Sequence, residues 1–352
     1  MNKLKVGVVF GGISSEHDVS KVSGTSVTSN LNKEKYDILP IYIDKEGNWY
    51  KYEKDINDIQ ILDINSDISK DIKPILNIRE ILKSLDVVFP VLHGLGGEAG
   101  SIQGMFELFN VPYVGCGILA SSVGMDKAYT KIIFEKAGIK QAKYNYIRKF
   151  NNDYIYVDKE FNEEILSIDE VSQKINNNLK YPMFIKPSNS GSSVGINKAS
   201  NIEELKNAIE YASRFDKKIL IEEGIFGKEV ECAVLGNEEV ISSCVGEIKP
   251  AEEFYTFDAK YKNQESKVLI PSDISKETSD EIRKLAIKAF KSIDGKGLSR
   301  VDFFANEETN EIYINEINTL PGFTNISMYP KLFESIGIKY NELLDKLIEL
   351  AL

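Results

Sequence analysis

Between Gly297 and Gly322 the chain reads GLSRVDFFANEETNEIYINEINTLPG, and four polar residues recur in it at spacings of two: Arg300 and Asp302, then Glu316 and Asn318. Leu298–Ala305 and Ile312–Asn318 have strand-like composition on either side of a polar turn, which predicts an antiparallel hairpin. Side chains of a strand alternate faces, so Ile312, Ile314, Glu316 and Asn318 fall on one face of the second strand. A symmetric hairpin then sets Asp302 against Glu316 and Arg300 against Asn318. Facing carboxylates repel and call for a cation. Asp, Glu and Asn offer hard oxygen donors of the kind Mg²⁺ takes, usually together with substrate phosphates. A solvated polar face with an incidental Arg–Asp pair fits the same pattern.

Further chemistry-bearing residues follow predicted strand ends. Glu16 comes after the Lys5–Phe10 apolar run and Gly11-Gly12, and His93 follows the strand Val87–Leu92. In open α/β sheets ligands bind beyond the carboxyl ends of strands, so both are pocket candidates; a helix cap and a core imidazole are the alternatives. Lys186 precedes PSNSGSSVG, a loop whose closely spaced backbone N–H groups suit phosphates, although such loops also serve as plain hairpin tips. Glu222 ends one strand and Glu229 sits in the next, with Glu231 on its face; Glu222 and Glu229 are either acceptors for a nucleotide base and ribose or exposed strand acids. The stretch from Ala251 to Pro271 has no sustained period and reads as a lid, with Lys260-Tyr261-Lys262 at its centre.

The elements that must position these groups belong to the α/β class. Strand, Gly turn and helix alternate near the N-terminus, with strands at Lys5–Phe10, Tyr36–Ile43 and Val87–Leu92 predicting an open parallel sheet. Helices are predicted at Ile78–Leu85, Lys127–Ala137, Ile202–Tyr211, Ser279–Asp294 and Tyr340–Leu352. The Asn-, Lys- and Glu-rich segment Lys143–Asn178 reads as surface connection with one helix. Three domains are expected, at 1–124, 125–224 and 225–352.

Composition narrows the classes of partner. A length of 352 residues allows two or three cores, and 42% hydrophobic with 28% charged residues is that of a soluble globular chain. A net charge of −11 argues against nucleic acid or an anionic membrane as partner. Cys116, Cys232 and Cys244 lack metal or redox spacing and read as reduced, mostly buried thiols, with a cytoplasmic location expected. No segment has the length and composition of a signal peptide or membrane span.

Seven motifs occur in one order: GGxSxExxVS at Gly11–Ser20, HGxxGExG at His93–Gly100, MDK at Met125–Lys127, KPxxxGSSVG at Lys186–Gly195, FYxxxAKY at Phe254–Tyr261, SRVDFF at Ser299–Phe304 and NExNTLPGFT at Asn315–Thr324. Together they resemble the D-alanine–D-alanine ligase family of the ATP-grasp superfamily, across nearly the whole chain. The resemblance implies a three-domain ATP-grasp fold, ATP as co-substrate, two Mg²⁺ (Mn²⁺ as an alternative), and a homodimer. It implies formation of an acyl phosphate from one D-alanine, then attack on it by the amine of a second, supplying a peptidoglycan precursor.

By the same resemblance Glu16 pairs with the first substrate's ammonium, His93 lies near its carboxylate, and Ser192 links Glu16 to Tyr261 of the lid. Lys127, Lys186 and Lys260 contact phosphates, with Ser193 in the phosphate loop. Glu222 and Glu229 accept from adenine and ribose, beside the Ile225 backbone. Asp302, Glu316 and Asn318 hold the metals, while Arg300 and the Gly322 N–H stabilise the oxyanion. Ser327 and Met328 meet the second substrate. Ligases of vancomycin resistance that use D-serine tend to carry Arg where Met328 stands, and D-lactate-using relatives depart from the intact lid motif. D-alanine is therefore the expected second substrate, with D-serine the alternative. Other carboxylate–amine ligases lack the first two motifs, and a nucleotide-binding regulator without catalysis would lack Arg300 or the metal ligands.

Overall fold

The computed structural model describes residues 3–54, 67–191, 194–249 and 267–352, which form three sheets in succession along the chain. The first contains β1 (Leu4–Gly11), β2 (Tyr36–Ile43), β3 (Trp49–Tyr52), β4 (Ile72–Pro74) and β5 (Val87–Pro90), in the order β4-β3-β2-β1-β5. The strands β2, β1 and β5 are parallel, as the continuous apolar runs predict, because helices or sheets cover both faces. Two short antiparallel strands, β3 and β4, extend the sheet at one edge and, at four and three residues, are too short to show a period in the sequence.

The second sheet contains β6 (Tyr144–Phe150), β7 (Asp153–Val157), β8 (Glu163–Leu166), β9 (Met183–Pro187), β10 (Asn197–Ala199) and β11 (Lys218–Glu223), in the order β10-β9-β11-β6-β7-β8. The segment expected to be mostly surface connection therefore supplies three strands as well as the helix Ile168–Asn178. Polar residues on the outer faces of these strands hid the period; the inward Ile147, Tyr154 and Tyr156 pack with Val171 and Ile175 of the helix. Ser167 and Glu170 close that helix's N-terminus as a reciprocal cap.

The third sheet is antiparallel throughout: β12 (Lys228–Gly236), β13 (Val240–Lys249), β14 (Lys267–Leu269), β15 (Gly297–Asn306) and β16 (Glu311–Asn318), ordered β14-β13-β12-β15-β16. One face carries Val230, Cys232, Val301 and Phe303, covered by the helix Lys276–Ser292 and by Cys116, Ala120 and Phe134 from the segment before the second sheet. At one end of the opposite face, Ala233, Leu235 and Leu298 pack with the C-terminal helices and with Val6, Val8 and Phe89 of the first sheet. At the other end the same face carries Glu229, Glu231, Arg300 and Asp302. One face is thus apolar where domains dock and charged where a cleft opens.

The β15–β16 hairpin has the expected register at its functional end, Asp302 opposite Glu316 and Arg300 opposite Asn318. Its other half departs from the symmetric hairpin. Asn315 is an extra residue on β16, so Phe303 pairs with Ile314. The bulge turns Ile312 and Ile314 onto the core face rather than the face of Glu316, and Ile314 is 2% exposed. Without it, two isoleucines would stand in a charged cleft.

Candidate active site

Arg300 is held by carboxylates on two strands. Its Nε and Nη2 donate to Asp302 Oδ1 and Oδ2 at 2.8 and 2.7 Å, and Nε lies 3.1 Å from Glu231 Oε2. Glu231 faces Asp302 across β12 and β15 and is 4% exposed. Burial alone would lower the Arg300 pKa, but Asp302 and Glu231 outweigh it and hold the guanidinium charged. Asn318 Oδ1 accepts from Leu320 N at 3.0 Å, which fixes the amide. Among the described residues no group of three His, Cys, Asp or Glu closes a metal cage. Asp302, Glu316 and Asn318 instead form an open set of hard oxygen donors, which suits a cation that completes its shell with water and phosphate oxygens.

Two lysines reach the same place from the second sheet side. Lys127 opens the helix Lys127–Lys136, whose start is pinned by Asp126: its carboxylate accepts from Tyr129 N at 3.3 Å and Ser188 Oγ at 2.7 Å and pairs with Lys218 at 2.5 Å. The pinned start directs Lys127 Nζ to the Ser190 carbonyl at 2.8 Å and to within 3.8 Å of Glu316 Oε2. Lys186 on β9 lies 2.8 Å from Glu222 Oε2, and Lys131 lies 2.5 Å from Glu222 Oε1. Burial works to raise the Glu222 pKa, yet the two lysines hold it down at about 2.

Between the second and third sheets lies a cleft of about 960 Å³. Phe184, Ile225 and Phe304 give it apolar walls, and Glu222, Glu229 and Glu231 line it with carboxylates; Lys127, Lys186, Asp302 and Glu316 border it too. Its size and mixed lining fit a drug- or nucleotide-sized ligand.

Glu16 and His93 meet beyond this cleft. Gly12 turns the chain after β1 at φ 92°, and Glu16 then stands at the N-cap position of the helix His17–Asn30 without a side-chain cap hydrogen bond. Its carboxylate packs against two loops: a Cβ at Gly94 would stand 3.0 Å, and one at Gly191 3.2 Å, from Glu16 Oε2. The Gly191 backbone of the Gly/Ser loop is thereby brought against the N-terminal acid. His93 is buried, its Nε2 2.9 Å from Ser23 Oγ and its ring bonded to the Leu320 carbonyl. Burial pushes its pKa down against the pull of Glu16, so the imidazole is neutral at pH 7. Ser23 Oγ also accepts from Phe323 N at 3.4 Å, tying His93 to the turn that carries Gly322.

Past the hairpin, Ser327 Oγ accepts from Thr324 N at 2.9 Å, and a Cβ on Gly322 would come within 2.8 Å of it. Met328 is 7% exposed and packs into the core with its methyl over Gly246, so its side chain backs the Ser327 loop rather than projecting from it. Ser192, Ser193, Lys260 and Tyr261 lie outside the described residues. Sequence reasoning named no role for Glu98, Lys131, Ser23 or Glu231. Glu98 accepts from Gly94 N at 2.7 Å, and burial, then Glu16, push its pKa up to about 8. A signal existed for two of them: Glu98 lies inside a quoted motif, and Lys131 follows Lys127 by one helical turn.

Family models match in tandem: D-ala D-ala ligase N-terminus over residues 5–116 and D-ala D-ala ligase C-terminus over residues 133–349. A D-alanine–D-alanine ligase of Acetivibrio thermocellus is 50% identical, with 99% of this chain and 96% of that protein covered. D-alanine–D-alanine ligase B of Clostridium tetani is 49% identical over 100% of this chain and 94% of that one. Among solved structures, VanG D-Ala:D-Ser ligase from Enterococcus faecalis aligns at TM-score 0.86 and 38% identity, covering 100% of both chains. The D-alanine-D-alanine ligase from Coxiella burnetii aligns at 0.84 and 32%, covering 100% of this chain and 94% of that one. With the hairpin, the lysine-lined cleft and the Glu16 pocket in one ATP-grasp architecture, and with both halves matched, the chain belongs to the D-alanine–D-alanine ligase family.

Proposed function

We propose that the protein joins two D-alanines into D-alanyl-D-alanine at the expense of ATP, releasing ADP and phosphate, for peptidoglycan precursor synthesis. The observation that carries this reading is the convergence of Asp302 and Glu316 with Lys127 and Lys186 at one cleft, with Arg300 paired to Asp302 beside it. Such a set neutralises a transferring phosphoryl group by position and charge, which is most of what that chemistry needs.

In this reading Glu222 and Glu229 accept from the adenine amine and the ribose hydroxyls beside the Ile225 backbone, in the slot between Phe184 and Phe304. Lys127, Lys186 and Lys260 hold the phosphates, with Ser193 N–H in the loop. Asp302, Glu316 and Asn318 would hold two Mg²⁺, or Mn²⁺, which supply further neutralisation of phosphate charge. Glu16 pairs with the ammonium of the first D-alanine, and neutral His93 lies near its carboxylate without adding charge. That carboxylate attacks the γ-phosphorus; the bond to the β–γ bridging oxygen breaks and ADP leaves. Ser192 and Tyr261 link the lid to Glu16 and keep water from the acyl phosphate. The unprotonated amine of the second D-alanine then attacks the carbonyl carbon. Arg300 and the Gly322 N–H receive the oxyanion, and the C–O bond to phosphate breaks as the peptide forms. Ser327 orients the second substrate.

D-serine is the competing second substrate, because one structural relative is a D-Ala:D-Ser ligase. Met328 packs behind the Ser327 loop and brings no donor for a hydroxymethyl group, which favours D-alanine; apolar pockets discriminate against an added hydroxyl by only about a hundredfold. The division at 1–124, 125–224 and 225–352 is part of the proposal, supported by each sheet drawing its strands from one range. So are a homodimer and a cytoplasmic location; no helix among the described residues is long and apolar enough to cross a membrane. The test is ADP release with Mg-ATP and D-alanine alone, then with D-serine or D-lactate added, with products identified by mass. Turnover on D-alanine alone, giving the homodipeptide, is expected. No turnover there overturns the proposal, and a mixed dipeptide as main product at neutral pH moves it to D-serine.

A further inference from the structure

Lys131 belongs to none of the motifs and none of the roles above, yet it is buried beside the cleft. Its side chain is 4% exposed, its Nζ lies 2.5 Å from Glu222 Oε1, and its ammonium stands 5.5 Å from the centre of the Tyr144 ring. The other Glu222 oxygen takes Lys186 at 2.8 Å. A void of about 10 Å³, room for about one water, is bordered by Lys127, Lys131, Lys186, Glu222 and Glu316. Lys131 and Glu222 are the enclosed pair of this set, at 4% and 6% side-chain exposure, so little solvent shares their charges.

One buried carboxylate needs one cation, and Glu222 has two. They are not equivalent. Lys186 sits on β9 at the mouth of the phosphate loop and borders the open cleft. Lys131 sits in the middle of a helix whose start Asp126 pins to Ser188 and Lys218, with its head group enclosed. A nucleotide whose phosphates draw Lys186 away would leave Glu222 buried and uncompensated unless the second cation stays.

We propose that Lys131 is a positioning residue for nucleotide binding: it keeps Glu222 ionised and aimed at the base while Lys186 passes from Glu222 to the phosphates. Lys186 stands 2.8 Å from Glu222, so its passage to the phosphates exchanges one ion pair for another instead of stripping water from a new charge. Without Lys131, Glu222 would retain Lys186, and the phosphates would lose a contact. The inference rests on the reading of Glu222 as the base acceptor and Lys186 as a phosphate contact.

The test is a double-mutant cycle on the full chain, with Mg-ADP affinity by calorimetry and steady-state kinetics for Lys131→Met, Glu222→Gln and the pair. Lys131→Met is expected to weaken Mg-ADP and raise the ATP KM by about tenfold or more, the effect of breaking a charged hydrogen bond, while the D-alanine KM stays within about twofold. In the Glu222→Gln background the same substitution should cost nothing further. Unchanged Mg-ADP affinity in Lys131→Met, or an equal loss in both backgrounds, overturns the proposal. Glu222→Gln binding Mg-ADP as tightly as the parent would instead refute the reading of Glu222, and the role of Lys131 with it. If Lys131→Met does not fold, the pair, which removes both charges, is compared with Glu222→Gln: equal affinity supports the proposal and a further tenfold loss overturns it.

Discussion

Gly246 on β13 should control where Met328 sits. An alanine Cβ there would lie 2.5 Å from Met328 Cε, 2.8 Å from Leu332 Cδ2 and 3.4 Å from Ile270 Cγ1. The first two contacts are well inside van der Waals range, and Leu332 is fully buried, so it has little room to retreat. The unbranched Met328 thioether can turn, and it must turn toward the Ser327 loop because the core is full on the other side. Inserting a methyl into a packed core costs about 1–3 kcal/mol, and a flexible neighbour puts Gly246→Ala in the lower half of that range, about 1–2 kcal/mol. With an unfolding entropy of about 2.1 cal/mol/K per residue, a chain of 352 residues loses about 1.4 °C of melting temperature per kcal/mol, so a drop of roughly 1–3 °C is expected by calorimetry. The displaced methyl should also raise the KM for the second D-alanine severalfold and change the ratio of D-alanine to D-serine incorporated. Met328→Leu, which lacks the Cε, should relieve the contact, so that Gly246→Ala costs less in that background. Melting and product ratio both unchanged in Gly246→Ala, or a cost that is the same with Leu at 328, would refute this packing argument.

Two other predictions separate chemistry from fold. Glu316→Gln should abolish most turnover while melting within about 2 °C of the parent, because Glu316 is one-third exposed and its ion pair with Lys127 spans 3.8 Å, a contact of at most about 1 kcal/mol. Turnover within tenfold of the parent would remove Glu316 from the metal set. Glu98 has a folded-state pKa of about 8 against 4.5 unfolded, so the folded protein binds more protons between those values and loses stability as pH rises through that window. Glu98→Gln cannot ionise and should gain on the parent between pH 5 and pH 9, read from thermal melts at each pH; parallel pH profiles would contradict the assignment.

How far the sequence reaches differs from element to element. Tyr36–Ile43 was legible to the residue, and the helix Ile202–Ala212 to within one, because an apolar run and a 3.6-residue period are local signals that packing did not override. The facing pairs of the hairpin were legible too: period 2 and a polar turn are enough to set Asp302 against Glu316. The motif order carried the family. What failed was what depends on partners distant in the chain. The strands between Tyr144 and Leu166 form because the sheet and two helices bury one face of each, and their outer charges masked that face. The Asn315 bulge is decided by which side of the sheet meets the helix Lys276–Ser292, since only that contact makes the core face the right place for Ile314.

The site divides the same way. Residue types alone determined that this chain carries oxygen donors, cations and a Gly/Ser-rich loop, since those are properties of Asp, Glu, Lys, Ser and Gly at fixed spacings. Only the tertiary structure decided which of them touch. Glu231 becomes a second hold on Arg300 by strand pairing across 69 residues of sequence, and Lys131 becomes a partner of Glu222 by the docking of a helix on a sheet. Gly191 meets Glu16 because the second sheet is set against the first. Burial strengthens charge pairing by removing water, and burial is a property of the packed molecule, so the electrostatics of this site could be read only once the three sheets were in place.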